Sequence, residues 1–316
     1  MIIEISFNKY QHNWYVGELY HKFYEYLVDM YGNNNVVYTP MDDLARQFGH
    51  TSDTHSLSIF SIYNLIITNK KTNKTFIHSL SDYAPVMMDD NTGILNFDVA
   101  GFACTSNLSK DLYEKYSKKY KIFPSFYILE NYSDINLIEL NRNKQIQKIN
   151  SCYFNGLCYG DRAKYRDLLS KNNTFIFRDK SNTSDYRTKE KYYEELNNYN
   201  FGLSLDGAAK ICYRDLEYFG LGVLCLREPL QIITRTPLLP NVHYVEFIGD
   251  DIKSILYDLD KSKTISKKLE TKLEEIIKSD YSDILINARA WYEENCLPEN
   301  QVKLLYTFLV ECGIIN

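Results

Sequence analysis

Apolar residues recur along this chain in two registers, and each change of register marks an element. Residues 2–7 run apolar; after a polar loop, apolar positions from 14 to 30 fall at helical spacing, so a strand, a loop and a helix are expected in that order. Asn33-Asn34-Asn35 is turn chemistry and Val36-Val37-Tyr38-Thr39 a short strand, which completes a βαβ opening. The β-branched and aromatic run 57–68 is separated by Asn69-Lys70-Lys71-Thr72-Asn73-Lys74 from Thr75-Phe76-Ile77-His78, which predicts a hairpin. The first half is therefore α/β without being a pure Rossmann repeat. Further strands are expected at 93–105 and 122–129, with a lysine-rich helix at 112–120 between them.

A polar stretch at 139–148 leads to the strand-like Cys152-Tyr153-Phe154, and the boundary between two halves is placed there. Beyond it the alternation is regular: strand 175–178, helix 189–196, strand 200–205, helix 213–219, strand 222–226. Such alternation favours a parallel sheet with helices on its faces. The tail 252–309 is helical in pattern, interrupted near Pro298.

At 316 residues the chain exceeds the size at which one core usually stops growing. Its hydrophobic fraction of 45% and charged fraction of 24% are those of a globular protein. No run approaches the ~20 apolar residues that span a bilayer, and the first residues lack the features of a secretory leader. Seven cysteines form an odd set without a Cys-x-x-Cys pair, with Cys104, Cys152, Cys212 and Cys225 among apolar neighbours. A soluble, cytoplasmic protein with reduced thiols is expected, and the sequons at Asn73 and Asn131 are read as accidental. The richness in Asn, Lys, Tyr and Ile points to an AT-rich genome, such as that of a large virus, a parasite or a bacterium making its own surface glycans. A net charge of −5 with dispersed Lys and Arg argues against a general nucleic-acid-binding surface.

The most informative run is Phe201-Gly202-Leu203-Ser204-Leu205-Asp206-Gly207-Ala208-Ala209, continued by a helical segment and the apolar Gly222-Val223-Leu224-Cys225-Leu226. In an open α/β sheet ligands sit at the carboxyl ends of strands, where helix N-termini offer free N–H groups to phosphate. Asp206-Gly207-Ala208 occupies that point. Arg214 and Glu217 are three residues apart on the following helix and share one face. Arginine neutralises a diphosphate, and glutamate accepts both hydroxyls of a ribose. The plain alternative is a surface ion pair after a glycine turn.

This run resembles the donor-site core of glycosyltransferases of two-Rossmann, B-type architecture, especially the capsule-associated and protein O-glucosyltransferase-like families and the exostosins. Arg214, Glu217, Gly220 and Gly222 stand in the places of that pattern. Tyr153-Phe154-Asn155-Gly156, followed by Arg162 and Lys164, resembles the opening of the same nucleotide-binding domain, although Asn155 departs from an Arg-richer pattern. Asn241-Val242-His243-Tyr244-Val245 and Ile286-Asn287-Ala288-Arg289-Ala290-Trp291-Tyr292 resemble its closing segments, so the likeness covers about residues 150–312.

The resemblance implies two Rossmann-like domains facing a cleft: 1–148 for the acceptor, 149–298 for the nucleotide sugar, and a helix at 299–316 packing back on the first. With the strand-end turn already noted, the expected donor site is Gly156, Arg162, Lys164, Arg178, Asp206, Gly207, Ala208, Arg214 and Glu217, where Arg178, at the end of the strand from Phe175, is a candidate for the nucleobase edge. For Arg162 and Lys164 the plain alternative is a solvated helix start, and for Arg178 an exposed loop.

The expected reaction moves a sugar from a UDP- or GDP-sugar to a glycan, a glycoprotein or another hydroxyl, the nucleotide sugar being a co-substrate and no other cofactor being needed. Helix N–H groups and arginines stabilise the leaving diphosphate without metal. Asp258-Leu259-Asp260, the one Asp-x-Asp match, follows no strand and reads as surface charge. Ala209 stands where retaining relatives often place a second Glu, which favours inversion. The general base then comes from the first half: Asp53 first, Asp82 second, with His50 beside them. His50, Asp53 and His55 also form a zinc-type set, unsupported by a further ligand motif. A dinucleotide enzyme would need Gly-x-Gly-x-x-Gly after the first strand, where Phe7-Asn8-Lys9-Tyr10-Gln11 has no glycine. A catalytically inactive nucleotide- or sugar-binding module stays open, and turnover of the donor separates it from an enzyme.

Overall fold

The computed structural model describes residues 1–7, 17–41, 64–79, 98–104, 108–124, 132–182, 187–207 and 210–316. His50, Asp53, His55, Asp82, Ala208 and Ala209 lie outside these described residues.

The first part contains β1 (Ile3–Phe7), α1 (Gly17–Tyr31), β2 (Val36–Pro40), β3 (Asn64–Asn69), β4 (Lys74–Ser79), β5 (Asp98–Cys104), α2 (Lys110–Tyr116) and β6 (Ile122–Pro124). Its sheet runs β2-β1-β3-β4-β5-β6. All pairings are parallel except those of β3, which is antiparallel to both neighbours. The expected hairpin is β3 and β4, and Asn73 closes its turn at φ 57°, a left-handed conformation asparagine tolerates. Two-residue periodicity splits the sheet's side chains between two cores. Ile3, Ile5, Phe7, Leu65 and Ile67 face α1, while Ile66, Ile77 and Phe102 face Leu108 and Tyr116 on the other side.

His78 is fully buried in β4, its Nδ1 2.9 Å from the Tyr20 hydroxyl. Burial pushes its imidazole down from the ordinary 6.5 to about 3. The unfolded chain therefore takes up a proton near pH 6.5 that the folded chain refuses until far lower pH, so stability falls as pH drops through that window. The expected slope is at most about 1.4 kcal/mol per pH unit. His78→Asn, which keeps an acceptor for Tyr20, should flatten the loss between pH 6 and 4 when unfolding midpoints are compared.

The second part begins with α3 (Tyr132–Arg142), then alternates β7 (Ile149–Gly156), α4 (Asp161–Leu169), β8 (Phe175–Asp179), α5 (Lys189–Asn197), β9 (Tyr199–Ser204), α6 (Tyr213–Leu221) and β10 (Leu224–Arg227). After β11 (Val245–Glu246) come α7 (Asp250–Lys253), α8 (Ser262–Ile277), α9 (Ser282–Cys296) and α10 (Pro298–Glu311). The sheet is wholly parallel in the order β11-β10-β9-β7-β8. Strand order reverses between β7 and β9, which makes their carboxyl ends the topological switch point, the position where doubly wound sheets bind ligands. Helices cover both faces: Phe154, Phe201 and Leu203 pack with Tyr165 of α4 and Leu269 of α8, while Tyr153 packs with residues of α5, α6 and α9.

Two helices pack away from their sequence neighbours. α3 lies before residue 149, yet Ile138 is buried in the second part's core, and Asn197 Nδ2 donates to the Asn141 carbonyl at 2.6 Å. It takes in the first residues of the polar stretch 139–148 that leads to the expected boundary. α10 places Val302, Leu305, Phe308 and Leu309 in the core beneath the first sheet, and Asn69 Nδ2 donates to the Ile314 carbonyl at 2.7 Å. The two carboxyl edges also meet: Ile233, beyond β10, donates its N–H to the Leu108 carbonyl, beyond β5, at 2.8 Å and packs on the core around Phe102. The mixed α/β class with two parallel-rich sheets is therefore the one the chain forms.

Candidate functional site

At the switch point the chain buries two guanidinium groups beside one aromatic ring. The Arg214 carbon Cζ lies 4.4 Å, and that of Arg162 6.0 Å, from the Phe154 ring centroid, and each residue is only 8% exposed. Arg214 comes from the first turn of α6; its Nε and Nη2 both donate to the Asn155 carbonyl, at 3.1 and 2.7 Å. Arg162 comes from the start of α4; its Nε donates to Asp206 O at 3.0 Å, Nη2 to Leu205 O at 2.9 Å and Nη1 to Leu157 O at 3.4 Å. Two glycines permit these approaches. A Cβ on Gly156 would overlap Arg214 Nη2, and one on Gly207 would overlap Arg162 Nη2.

The hydrogen-bond partners of both groups are neutral, backbone carbonyls and the Cys212 sulfur, and among the described residues neither is ion-paired to a carboxylate, although Arg214 and Glu217 attract one another through space. Buried charges are ordinarily paired, so two cations without a direct carboxylate partner at one sheet edge make a field that favours an anion. The neighbouring Arg227 shows the ordinary arrangement. It is 1% exposed, with Nη1 3.0 Å from Asp215 Oδ2 and Nη2 3.5 Å from Asp206 Oδ1. Lys210 Nζ donates to Asp206 Oδ2 at 2.7 Å, Lys253 pairs with the buried Glu228, and the Asp206 N–H donates to Glu228 Oε1 at 3.3 Å. Asp206 is thus committed to a charge network that ties the ends of β9 and β10 together. The start of α6 is partly occupied as well, because Asp215 Oδ2 accepts the Cys212 N–H at 2.8 Å.

Glu217 lies one turn beyond Arg214. Its two oxygens accept the hydroxyls of Tyr192, at 2.5 Å, and Tyr193, at 3.2 Å, both from α5. Burial raises its pKa, opposed by the Tyr192 hydroxyl and the positive charges of Lys180 and Arg214, with Asp134 pushing the same way as burial. Lys180 follows β8 and sets its ammonium 5.6 Å from the Tyr192 ring centroid. Asp134, at the start of α3, accepts from Lys189 Nζ at 2.7 Å.

The structure thus brings Gly156, Arg162, Asp206, Gly207, Arg214 and Glu217 to the carboxyl ends of β7 and β9. Arg178 ends β8, but its guanidinium is 2.9 Å from Glu195 Oε1, a carboxylate shared with Arg187. Lys164 stands over the Tyr257 ring at 5.6 Å, on the side of α4 toward the helical tail. Gly220 serves packing, because a Cβ there would press on Ile138 and Tyr292. Lys180, Tyr192 and Tyr193 were not singled out from the sequence; a lysine and two tyrosines in a tyrosine-rich chain give no local signal. Among the described residues no three His, Cys, Asp or Glu side chains converge as metal ligands, and no helix is long and apolar enough to cross a membrane. Asp258 pairs with Lys261 at 3.4 Å, and Asp260 is exposed.

No protein-family model and no curated protein matches the chain. Among solved structures it is similar to an alpha-glucosyltransferase in complex with UDP and a 13-mer DNA containing a HMU base, with a TM-score of 0.45 and 9% identity, over 98% of this chain and 100% of that one.

Proposed function

We propose that this chain is a nucleotide-sugar-dependent glycosyltransferase whose donor site is the switch point of the second sheet. The observation that supports the reading is the pair of buried guanidiniums of Arg162 and Arg214 at the ends of β7 and β9, neither with a direct carboxylate partner among the described residues, with the Glu217 carboxylate one helical turn from Arg214. A nucleoside diphosphate supplies the missing negative charge, and its ribose supplies hydroxyls to an acceptor such as Glu217. As the glycosidic bond opens, charge grows on the departing diphosphate. Fixed cations in a site poor in water stabilise that charge more than they stabilise the ground state. Arg214 and Lys180 serve the phosphates directly. Arg162 holds the Leu205–Asp206 backbone in place while adding to the field.

Transfer in this reading needs no metal and inverts the anomeric centre. The acceptor is the hydroxyl of a glycan, a glycoprotein or another hydroxyl-bearing molecule, presented by the first part of the chain. Its carboxyl strand ends lie on the side where Ile233 and Leu108 meet. The experiment is to incubate the protein with UDP- and GDP-sugars in chelator, with glycan acceptors and with hydroxyl-bearing DNA as a check on the exclusion drawn from net charge. Release of nucleoside diphosphate, even slowly without acceptor, is expected. Binding without turnover under every condition would instead identify an inactive nucleotide-binding module. Glu217→Ala should weaken nucleoside diphosphate binding about tenfold and destabilise the fold by about 1–3 kcal/mol, because two buried tyrosine hydroxyls lose their acceptor. Calorimetric titration and a denaturant melt read these two effects separately.

A further inference from the structure

Two atoms at the carboxyl end of β7 have no partner although their side chains are more than nine-tenths buried: Asn155 Oδ1 and Arg214 Nη1. They belong to residues in direct contact, since Arg214 Nε and Nη2 reach the Asn155 backbone carbonyl. The Asn155 side chain lies on the sheet face that carries Glu217. Its Nδ2 donates to the Tyr153 hydroxyl at 3.2 Å, and Tyr153 packs in the same core as Tyr192 and Tyr193, which hold Glu217. A buried amide oxygen without a donor is destabilising, and such an orphan in a folded protein calls for an explanation.

The two orphans ask for different chemistry. Arg214 Nη1 only donates and Asn155 Oδ1 only accepts. An ionised diphosphate offers acceptors alone, so it satisfies the arginine and repels the amide oxygen. The group that meets Asn155 must bring an O–H or N–H. Glu217 has a matching need: each of its oxygens takes one tyrosine hydroxyl and keeps capacity for a second donor. Two acceptor side chains on one face, next to a cation for phosphate, fit a pair of adjacent hydroxyls one short link away from a diphosphate.

Resting on the nucleotide-sugar reading, we infer that Asn155 Oδ1 accepts one hydroxyl of the donor's ribose while Glu217 accepts the other, so that the site selects ribonucleotides over deoxyribonucleotides. Asn155 is thus a specificity-determining residue.

The test is calorimetric titration of the whole chain with UDP and GDP and with their 2′-deoxy and 3′-deoxy forms. The unaltered chain should bind each deoxy form about tenfold more weakly than its parent, the loss that follows one missing hydrogen bond in a buried site. In Asn155→Ala one of the two penalties should vanish and the other persist. Asn155→Asp, which keeps the acceptor and removes the donor, should retain both penalties even if its added charge weakens every ligand alike. Because each penalty is a ratio within one variant, a general loss of stability does not imitate the result. The inference is overturned if both penalties survive Asn155→Ala, if Asn155→Asp loses the same penalty as Asn155→Ala, or if the unaltered chain binds UDP or GDP with no preference for either hydroxyl. Failure of both UDP and GDP to bind at all would instead overturn the nucleotide-sugar reading on which the inference rests.

Discussion

Arg214→Met should cost the protein about 10- to 100-fold in nucleoside diphosphate affinity while leaving its unfolding free energy within about 2 kcal/mol of the parent. The two effects separate because Arg214 is a buried cation whose hydrogen bonds all go to one backbone carbonyl. Removing a buried charge that has no direct ion pair relieves a desolvation penalty, and methionine refills most of the volume beside Phe154. Against that gain stands the Asn155 carbonyl, which loses two donors at a cost of about 1–3 kcal/mol. A residue that matters more for ligand than for fold is the signature of a site kept strained for function. Titration calorimetry and denaturant unfolding on the same variant check the claim. A loss of several kcal/mol in stability with unchanged affinity would make Arg214 a structural clamp.

The opposite balance is expected for Asp215→Ala. Asp215 is fully buried; its Oδ2 lies 3.0 Å from Arg227 Nη1 and also accepts the Cys212 N–H at the start of α6. Its loss leaves Arg227, 1% exposed, with only the more distant Asp206 as counter-ion. Breaking one partner out of a buried pair costs about 3–5 kcal/mol, and loss of the capping contact adds about 1 kcal/mol. The midpoint of unfolding should fall by many degrees, and nucleotide affinity should follow the folded fraction. The paired change Asp215→Leu with Arg227→Met should recover part of the loss, since no orphaned charge remains. A small effect of the single substitution would mean that water reaches Arg227.

These two arginines show what could and could not be read from the sequence. Helical periodicity alone placed Arg214 and Glu217 on one face, and the small-residue turn before them marked the end of a strand, so the core of the candidate site was legible. The hairpin of β3 and β4 and the alternation from β7 to β10 were legible for the same reason, a change of hydrophobic period at each boundary. What escaped depends on long-range convergence. Tyr192 and Tyr193 reach Glu217 from α5, and Lys180 is brought near it by the end of β8, while the partner of Arg162 is the backbone at Leu205 and Asp206 rather than a residue type. Asp206 looked available for ligand, yet Lys210 and Arg227 occupy its carboxylate. α3 was obscured because its buried face includes Asp134, whose Oδ2 accepts from Lys189, and Asn141, which donates to its own helix's backbone, so the apolar stripe that signals a helix is interrupted.

The most direct measurement is the thermal unfolding midpoint of the protein with increasing UDP or GDP in the presence of chelator, with UMP and GMP as comparisons. A ligand that binds only the folded chain stabilises it by about 2.7 kcal/mol at one hundred times its Kd, which corresponds to a rise of several degrees. The account predicts such a rise for at least one diphosphate, a smaller rise for its monophosphate, and its disappearance in Arg214→Met. A midpoint that stays flat across both diphosphates, in a protein that is folded at the outset, would contradict it.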